Sequence, residues 1–112
     1  MTNAVNQLLV PHGYIRFDTW RQRLKDQLST PDLTLTLQIL KKLCAVPLGL
    51  TREMLSLHLL SLNPAADIDK TEQRLSLLLA MLQRDGYLIE QHGHYAFRSH
   101  LLREYWNRRE LI

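Results

Sequence analysis

Apolar residues recur at helical spacing along most of the chain, and each recurrence predicts one helix. The first clear series is Phe17, Trp20, Leu24 and Leu28, with charged residues between its members. This pattern predicts an amphipathic helix over about residues 17–28. Residues 4–10 would fit a further short helix, which the sequence Pro11-His12-Gly13 would end.

The segment that follows allows two interpretations. Residues 33–37 alternate leucine and threonine, as a strand would, but leucines at 33, 37 and 40 and Cys44 also fit a helical series. Thr30-Pro31-Asp32 is a typical helix start, with a hydroxyl cap, a proline in the first turn and an early acid. Because the helical series continues until just before Pro47, we predict a helix.

Two more helices are predicted from their caps. Thr51 precedes one of them, where Leu50 and Leu55 are spaced to form a hydrophobic staple, and Asn63-Pro64 ends it. Asp69 and Glu72 have the spacing of a capping box and would open a long helix that runs to Asp85. Gly86 is its predicted left-handed terminator.

A hairpin and a closing helix complete the pattern. Residues 87–89 and 95–97 are rich in strand-forming residues and flank the turn dipeptide His92-Gly93. Ser99 is a predicted cap for the last helix. The apolar residues of that helix recur at one-and-four spacing: Leu101, Leu102, Tyr105 and Trp106.

This order of elements predicts a mainly α fold, a winged helix-turn-helix of three helices plus a β-hairpin wing. An extra helix precedes the three helices, and another follows the hairpin. We place the lead-in and amphipathic helix in residues 1–30, and the winged-helix domain with its closing helix in residues 31–112. Twenty-five of the 112 residues are leucine, which supports a packed helical core.

Charge and cysteine content narrow the class of protein. The net charge is +3, and residues 1–30 and 98–112 each carry four basic against two acidic residues. Basic ends around a neutral to acidic middle give only weak support to nucleic-acid binding. Cys44 is the single cysteine, so no internal disulfide forms, and its apolar neighbours predict a buried thiol. No apolar run is long enough for a membrane span, and we expect a cytoplasmic protein.

One part of the chain resembles a known family. Residues 77–109 contain Asp85-Gly86-Tyr87-Leu88, then Tyr95 and Phe97, then Ser99 with Leu101-Leu102-Arg103 and Tyr105-Trp106. This stretch resembles the C-terminal winged helix that follows the nucleotide-binding core of prokaryotic AAA+/STAND-type ATPases. The helix that contains Phe17-Asp18-x-Trp20 resembles the segment leading into that domain, so the resemblance covers roughly residues 17–109 and is strongest in the last third. The resemblance implies a domain that docks on an ATPase core. The chain contains no phosphate-binding loop of the form G-x-x-x-x-G-K-[ST], so the ATPase core is absent from it.

The long helix after Asp69 is the element that would carry binding. Its predicted core stripe consists of leucines at 75, 78, 79 and 82. Lys70, Gln73, Leu77, Ala80 and Arg84 lie on the opposite side. A helix that is apolar nearly all round packs on both sides, so we predict a protein interface at Leu77, Ala80, Met81 and Arg84. The partner would be an ATPase core, a second copy in a homodimer, or another protein.

The alternative is a DNA-binding transcriptional regulator. Its contacts to a duplex, or to an acidic protein, would come from a set of polar and basic side chains: Lys70, Gln73, Arg98, Arg103, Arg108 and Arg109. The predicted wing, residues 90–94, contains no lysine or arginine. A purely structural module is the third interpretation.

The sequence gives no support for catalysis, a metal or a cofactor. Ser99, His100 and Glu104 could supply nucleophile, base and acid, but they share one helix start, and no strand–turn–helix elbow surrounds the serine. His92 and His94 could project from one strand face, with His100 nearby, but a metal site needs further ligands. We expect His12 and His58 to be surface or packing residues.

Overall fold

The computed structural model describes the backbone of residues 14–111 and the side chains of residues 19–108. It contains five helices: α1 (Tyr14–Gln27), α2 (Thr30–Cys44), α3 (Arg52–Leu62), α4 (Ile68–Arg84) and α5 (His100–Leu111). Its three strands are β1 (Leu50–Thr51), β2 (Leu88–Gln91) and β3 (His94–Phe97). A mainly helical domain with a hairpin is therefore confirmed. The predicted helix over residues 4–10 and His12 lie outside the described residues.

The alternating leucine segment is helical, as predicted, because α2 has a continuous buried stripe. Thr36, Ile39, Leu40 and Leu43 on this helix are buried without measurable exposure. The predicted cap was wrong by one residue: Ser29 is the N-cap and makes no side-chain hydrogen bond, while Thr30 is already helical. Pro31 helps to explain the missing hydrogen bond, because proline has no backbone N–H that could donate to the capping oxygen.

The predicted N-cap of α3 is confirmed, and that of α4 is wrong. Thr51 accepts a 3.2 Å hydrogen bond from the backbone N–H of Met54, as predicted. In α4, however, the N-cap is Asp67, whose side chain accepts from the N–H of Lys70. The predicted capping box of Asp69 and Glu72 is wrong, because the helix begins at Ile68 and both acids already lie inside it.

The far end of α4 closes as its glycine predicts. Gly86 has φ +88°, a left-handed conformation that costs glycine little. The backbone N–H of Tyr87 donates to the carbonyl of Leu82, and that of Gly86 to the carbonyl of Gln83. This pair of bonds is a Schellman motif, and it turns the chain directly from α4 into the sheet.

The three strands form one antiparallel sheet in the order β1-β3-β2. The predicted hairpin is confirmed: Leu88 pairs with Phe97, and Gln91 pairs with His94. Both turn residues have positive φ, 54° at His92 and 79° at Gly93, as a two-residue type I′ turn requires. The sequence did not predict β1, whose Leu50 pairs with Tyr95.

One hydrophobic core joins all five helices to the sheet. Leu24 of α1 is fully buried in it, so α1 shares the core of the domain that begins after residue 30. On α5, Leu102, Tyr105 and Trp106 are buried, whereas Leu101 is 44% exposed and does not belong to the packed set. The side chain of Phe17 lies outside the described residues. Within residues 14–111, no helix combines the length and the apolar character that crossing a bilayer demands.

Candidate interaction surface

The side of α4 that faces away from the core is the first candidate surface. Leucines 75, 78, 79 and 82 point into the core, as predicted, and none is more than 4% exposed. The opposite side exposes Lys70, Gln73, Leu77, Ala80 and Arg84, also as predicted. We call these five residues the α4 outer face. Leu77 is 61% exposed and is its largest apolar side chain.

The α4 outer face is less apolar than the sequence predicted. Met81, a predicted interface residue, is only 7% exposed and is part of the core, so it cannot be a main contact. The other exposed positions on this helix are mostly polar or charged: Asp69, Arg74, Ser76 and Gln83. The description of the helix as apolar nearly all round is therefore wrong. Leu77 and Ala80 form a small apolar island on an otherwise polar face.

Arginines beside this island are paired with carboxylates of the same chain. Arg74 lies 3.6 Å from the carboxylate of Asp32, and Arg84 lies 3.2 Å from that of Asp85. From Asp67 to Phe97 the chain has five acidic and three basic residues, which gives this region a net charge of −2. The charges of both arginines are thus offset by neighbouring carboxylates; Arg84 belongs to the α4 outer face and Arg74 flanks it.

A polar network fixes α4 against α3. Arg52 of α3 donates to the Glu72 carboxylate at 2.5 Å, to the Glu72 backbone carbonyl at 2.9 Å and to Ser76 Oγ at 2.6 Å. Ser56 donates to the second carboxylate oxygen. The hydrogen bonds from Ser56 and Arg52 lower the pKa of Glu72 below its ordinary value, against the opposing effect of desolvation. This network sets the angle at which the α4 outer face is presented.

The wing carries no lysine or arginine. Glu90, Gln91, His92, Gly93 and His94 are all exposed, and Glu90 accepts a 2.7 Å hydrogen bond from the N–H of Gly93. His94 Nδ1 lies 3.2 Å from the carbonyl oxygen of His92. Among the residues that the structure describes, no three His, Cys, Asp or Glu side chains come together as a metal site would require.

The predicted basic patch near the C-terminus is divided by the structure. Arg98 and Arg108 are exposed, but the side chain of Arg103 is only 17% exposed. Arg103 donates to the backbone carbonyl of Cys44 at 2.9 Å and to Glu104 at 2.8 Å, which turns it toward α2. It is therefore not a free phosphate ligand. The side chain of Arg109 lies outside the described residues.

The remaining reactive side chains have structural contacts. Cys44 is buried, as predicted, with 3% exposure, and its thiol donates to the carbonyl of Lys41. Ser99 caps α5, as predicted, by accepting from the N–H of Leu102 at 3.2 Å. Because Glu104 pairs with Arg103, Ser99 and Glu104 both have partners outside the hypothetical Ser99–His100–Glu104 group.

Sequence reasoning missed a second surface, on α3. Met54, Leu57 and Leu62 are 51%, 68% and 48% exposed, which makes them as open to solvent as Leu77 or nearly so. Leu62 also lines a groove between α3 and the end of α2, which we call the α2–α3 groove. Its lining residues are Gln38, Lys41, Lys42, Ala45, His58 and Leu62. The overlooked signal was the absence of any Asp, Glu, Lys or Arg between Glu53 and Asp67.

Comparisons of the chain with family models, with curated proteins and with solved structures gave no match. The resemblance to the AAA+/STAND tail domain therefore continues to depend on the residues of segment 77–109.

Proposed function

We propose that this chain is a non-catalytic winged-helix domain that binds another protein through the α4 outer face. The fold assignment is supported by the order of elements, in which α2, β1, α3 and α4 precede the β2–β3 hairpin. The strand order is β1-β3-β2, so β1, the short strand that follows α2, lies beside the β2–β3 hairpin. Three helices followed by a wing are the plan of this helix-turn-helix relative.

The exposed Leu77, beside arginines that are paired with carboxylates of the same chain, carries the functional proposal. Protein interfaces are centred on desolvated apolar anchors inside a polar rim. Leu77 with Ala80 supplies such an anchor, and Gln73, Arg74 and Arg84 supply the rim.

Binding to a duplex would need a different surface. The affinity of a protein for a duplex comes largely from cations that neutralise phosphates. Here the carboxylate partners of Arg74 and Arg84 reduce the positive charge that α4 could offer to a phosphate backbone, which opposes that mode. The α4 outer face suits a protein better than DNA.

The resemblance to ATPase tail domains suggests the class of partner. An ATPase core held against α4 would have its nucleotide-driven motion restrained or transmitted by this domain. The alternative partner is a second copy of the chain. In both cases the chain contributes binding and no chemistry.

Site-specific photo-crosslinking tests the proposal. The chain is prepared with a benzophenone amino acid at position 77, and with the same group at exposed position 83 of α4 as the control. After irradiation in an extract of the native cells, we expect a discrete protein adduct from position 77 alone. Adducts with nucleic acid in its place would favour the DNA-binding regulator.

The decisive measurement uses the purified adducted protein. Leu77→Glu should raise the dissociation constant of the complex with this partner by about tenfold or more, because the substitution places a charge in the desolvated centre of the interface. Gln83→Glu adds the same charge on the same helix and should change the constant by less than about twofold, as rim changes do. Equal affinities of the two variants would refute the α4 outer face as the binding surface.

A further inference from the structure

The α2–α3 groove has the form of a helix-binding site. Gln38, Lys41, Lys42 and Ala45 line the groove from α2 and its cap, and His58 and Leu62, four residues apart, line it from α3. Gln38 is four residues from Lys42, and Lys41 is four from Ala45, so each set shares one face of its helix and one ridge from each helix borders the groove. The space between them is about 450 Å³.

The α3 ridge carries exposed apolar side chains on either side of His58. Leu62 lines the groove and is 48% exposed, and Met54, four residues before His58 on the same helical row, is 51% exposed. Exposed helix faces of soluble domains are normally charged or polar, whereas α3 carries no Asp, Glu, Lys or Arg after Glu53. An exposed apolar ridge of this kind is typical of an interaction site.

The charge on the groove has one sign. Lys41 and Lys42 are its only lining residues with a permanent charge, and no carboxylate of the described residues lines it. Asp32 lies at the opposite end of α2 and is paired with Arg74. Lysines at a helix C-terminus also interact favourably with the helix dipole, but that effect does not account for the apolar ridge opposite them.

The pKa of His58 reflects its burial and the same positive charge. It is half-buried in the groove, and its pKa is lowered below 6.5 by burial and by the neighbouring charge of Lys42. A carboxylate placed between Lys42 and His58 would offset that charge. The groove therefore combines apolar contacts with unneutralised positive charge.

We propose that the α2–α3 groove binds an acidic amphipathic helix of a partner protein. The apolar side of that helix would contact Leu62, Ala45 and the neighbouring Met54, and its carboxylates would pair with Lys41 and Lys42. This mode gives affinity through apolar anchors at helical spacing, and specificity through complementary charge. The groove shares no residue with the α4 outer face, so either proposal can be refuted without refuting the other.

A displayed library of amphipathic helical peptides tests this inference and does not require the partner to be identified first. The peptides have about 14 residues, close to the shortest length at which a helix is stable in water. Their apolar stripe and their flanking charged positions are randomised, with acidic and basic residues equally frequent. Selection is made on the wild-type chain. We expect enriched peptides with leucine-like residues at helical spacing and a clear excess of Glu and Asp over Lys and Arg.

Matched variants then locate the site. Leu62→Glu and Lys42→Glu should each weaken binding of a selected peptide by about tenfold or more, since one removes an anchor and the other reverses a charge. Leu101→Glu, at another exposed leucine on α5, and Lys25→Glu, at an exposed lysine on α1, are the controls and should bind normally. Leu77→Glu should also bind normally, which separates this groove from the α4 outer face. If Leu62→Glu proves unfolded by circular dichroism, Leu62→Ala replaces it.

Several results would overturn the proposal. They are the absence of any enriched peptide, an excess of basic residues in the selected peptides, and binding that is insensitive to the substitutions at Leu62 and Lys42. Self-association of the wild-type chain that Leu62→Glu abolishes would show that a second copy occupies the groove. That outcome also rejects the acidic helix.

Discussion

The hydroxyl of Tyr87 donates a 2.8 Å hydrogen bond to the backbone carbonyl of Trp20, which lies 67 residues earlier in the chain. The two rings also meet edge to face, with centroids 4.9 Å apart. Tyr87 directly follows the Gly86 terminator of α4, so this contact joins α1 to the point where α4 turns into β2. The amphipathic lead-in helix is thereby fixed to the element that carries the proposed binding face.

Removing this hydroxyl should destabilise the domain. We expect Tyr87→Phe to lower the free energy of unfolding by about 1 kcal/mol, the usual net contribution of one hydrogen bond. For a domain of this size the melting temperature should fall by about 4 °C or more. Thermal denaturation followed by circular dichroism measures the change. Tyr95→Phe, which removes a hydroxyl from the half-buried face of β3, is the control and should have the smaller effect.

Tyr87 should also make stability depend on alkaline pH. Burial raises the pKa of Tyr87 from its ordinary value of 10 to about 12. Because the folded value exceeds the unfolded one, the stabilisation is fully present below pH 10 and is lost as pH rises toward 12. Urea unfolding at a series of alkaline pH values should show a steeper loss for wild type than for Tyr87→Phe. Parallel curves for the two proteins would contradict the assignment.

Features set by local sequence were predictable, and those set by distant contacts were not. The leucine stripe of α4 and its Gly86 terminator depend on neighbours within a few residues. The choice between Asp67 and Asp69 as N-cap does not, because Glu72, the proposed partner of Asp69, is held by Arg52 and Ser56 on another helix. β1 is two residues long and exists through pairing with β3, more than forty residues later. No local pattern indicates such a strand.

The candidate surfaces show the same division. Periodicity placed Leu77, Ala80 and Arg84 on the outside of α4, and the structure agrees. Met81 borders the predicted stripe, and a helical wheel cannot tell how far the packing of neighbouring elements extends around the helix. Arg103 looked like one of several surface cations, but the packing of α5 on α2 brings it to the carbonyl of Cys44.

Arg103 is therefore expected to stabilise the fold and not to bind phosphate. Arg103→Ala should cost about 2 kcal/mol, because charged hydrogen bonds contribute more than neutral ones and the Cys44 carbonyl would lose this partner. Arg98→Ala, at an exposed position, should cost less than about 0.5 kcal/mol. Chemical denaturation measures both variants. Equal stabilities, together with a duplex affinity that Arg103→Ala alone weakens, would restore Arg103 as a nucleic-acid ligand.

Two glycines with the same backbone preference should respond differently to alanine. Gly49 has φ +85°, and a Cβ added there would lie 2.5 Å from the carbonyl oxygen of Tyr95, where β1 begins to pair with β3. Gly93 has φ +79°, and an added Cβ would meet nothing within 4 Å. Gly93→Ala should cost only the conformational penalty, about 1 kcal/mol. Gly49→Ala adds a backbone clash to a similar penalty and should cost about 3 kcal/mol or more. Urea denaturation compares the two, and equal losses would show that the β1–β3 contact yields without cost.

Glu72 should make the domain sensitive to acid. Hydrogen bonds from Ser56 and Arg52 hold the pKa of Glu72 below its ordinary value of 4.5. Its stabilisation is therefore present above pH 4.5 and is lost as pH falls through the lower folded pKa. Glu72→Gln should lose about 1 kcal/mol at neutral pH, a modest amount because the Arg52–Glu72 pair is about one-third exposed and solvent weakens it. Below pH 4.5 its urea midpoint should converge with that of wild type, while Glu53→Gln, at the exposed start of α3, should follow wild type throughout. A difference between Glu72→Gln and wild type that stays constant down to about pH 3 would mean that Glu72 acts through packing and not through its charge.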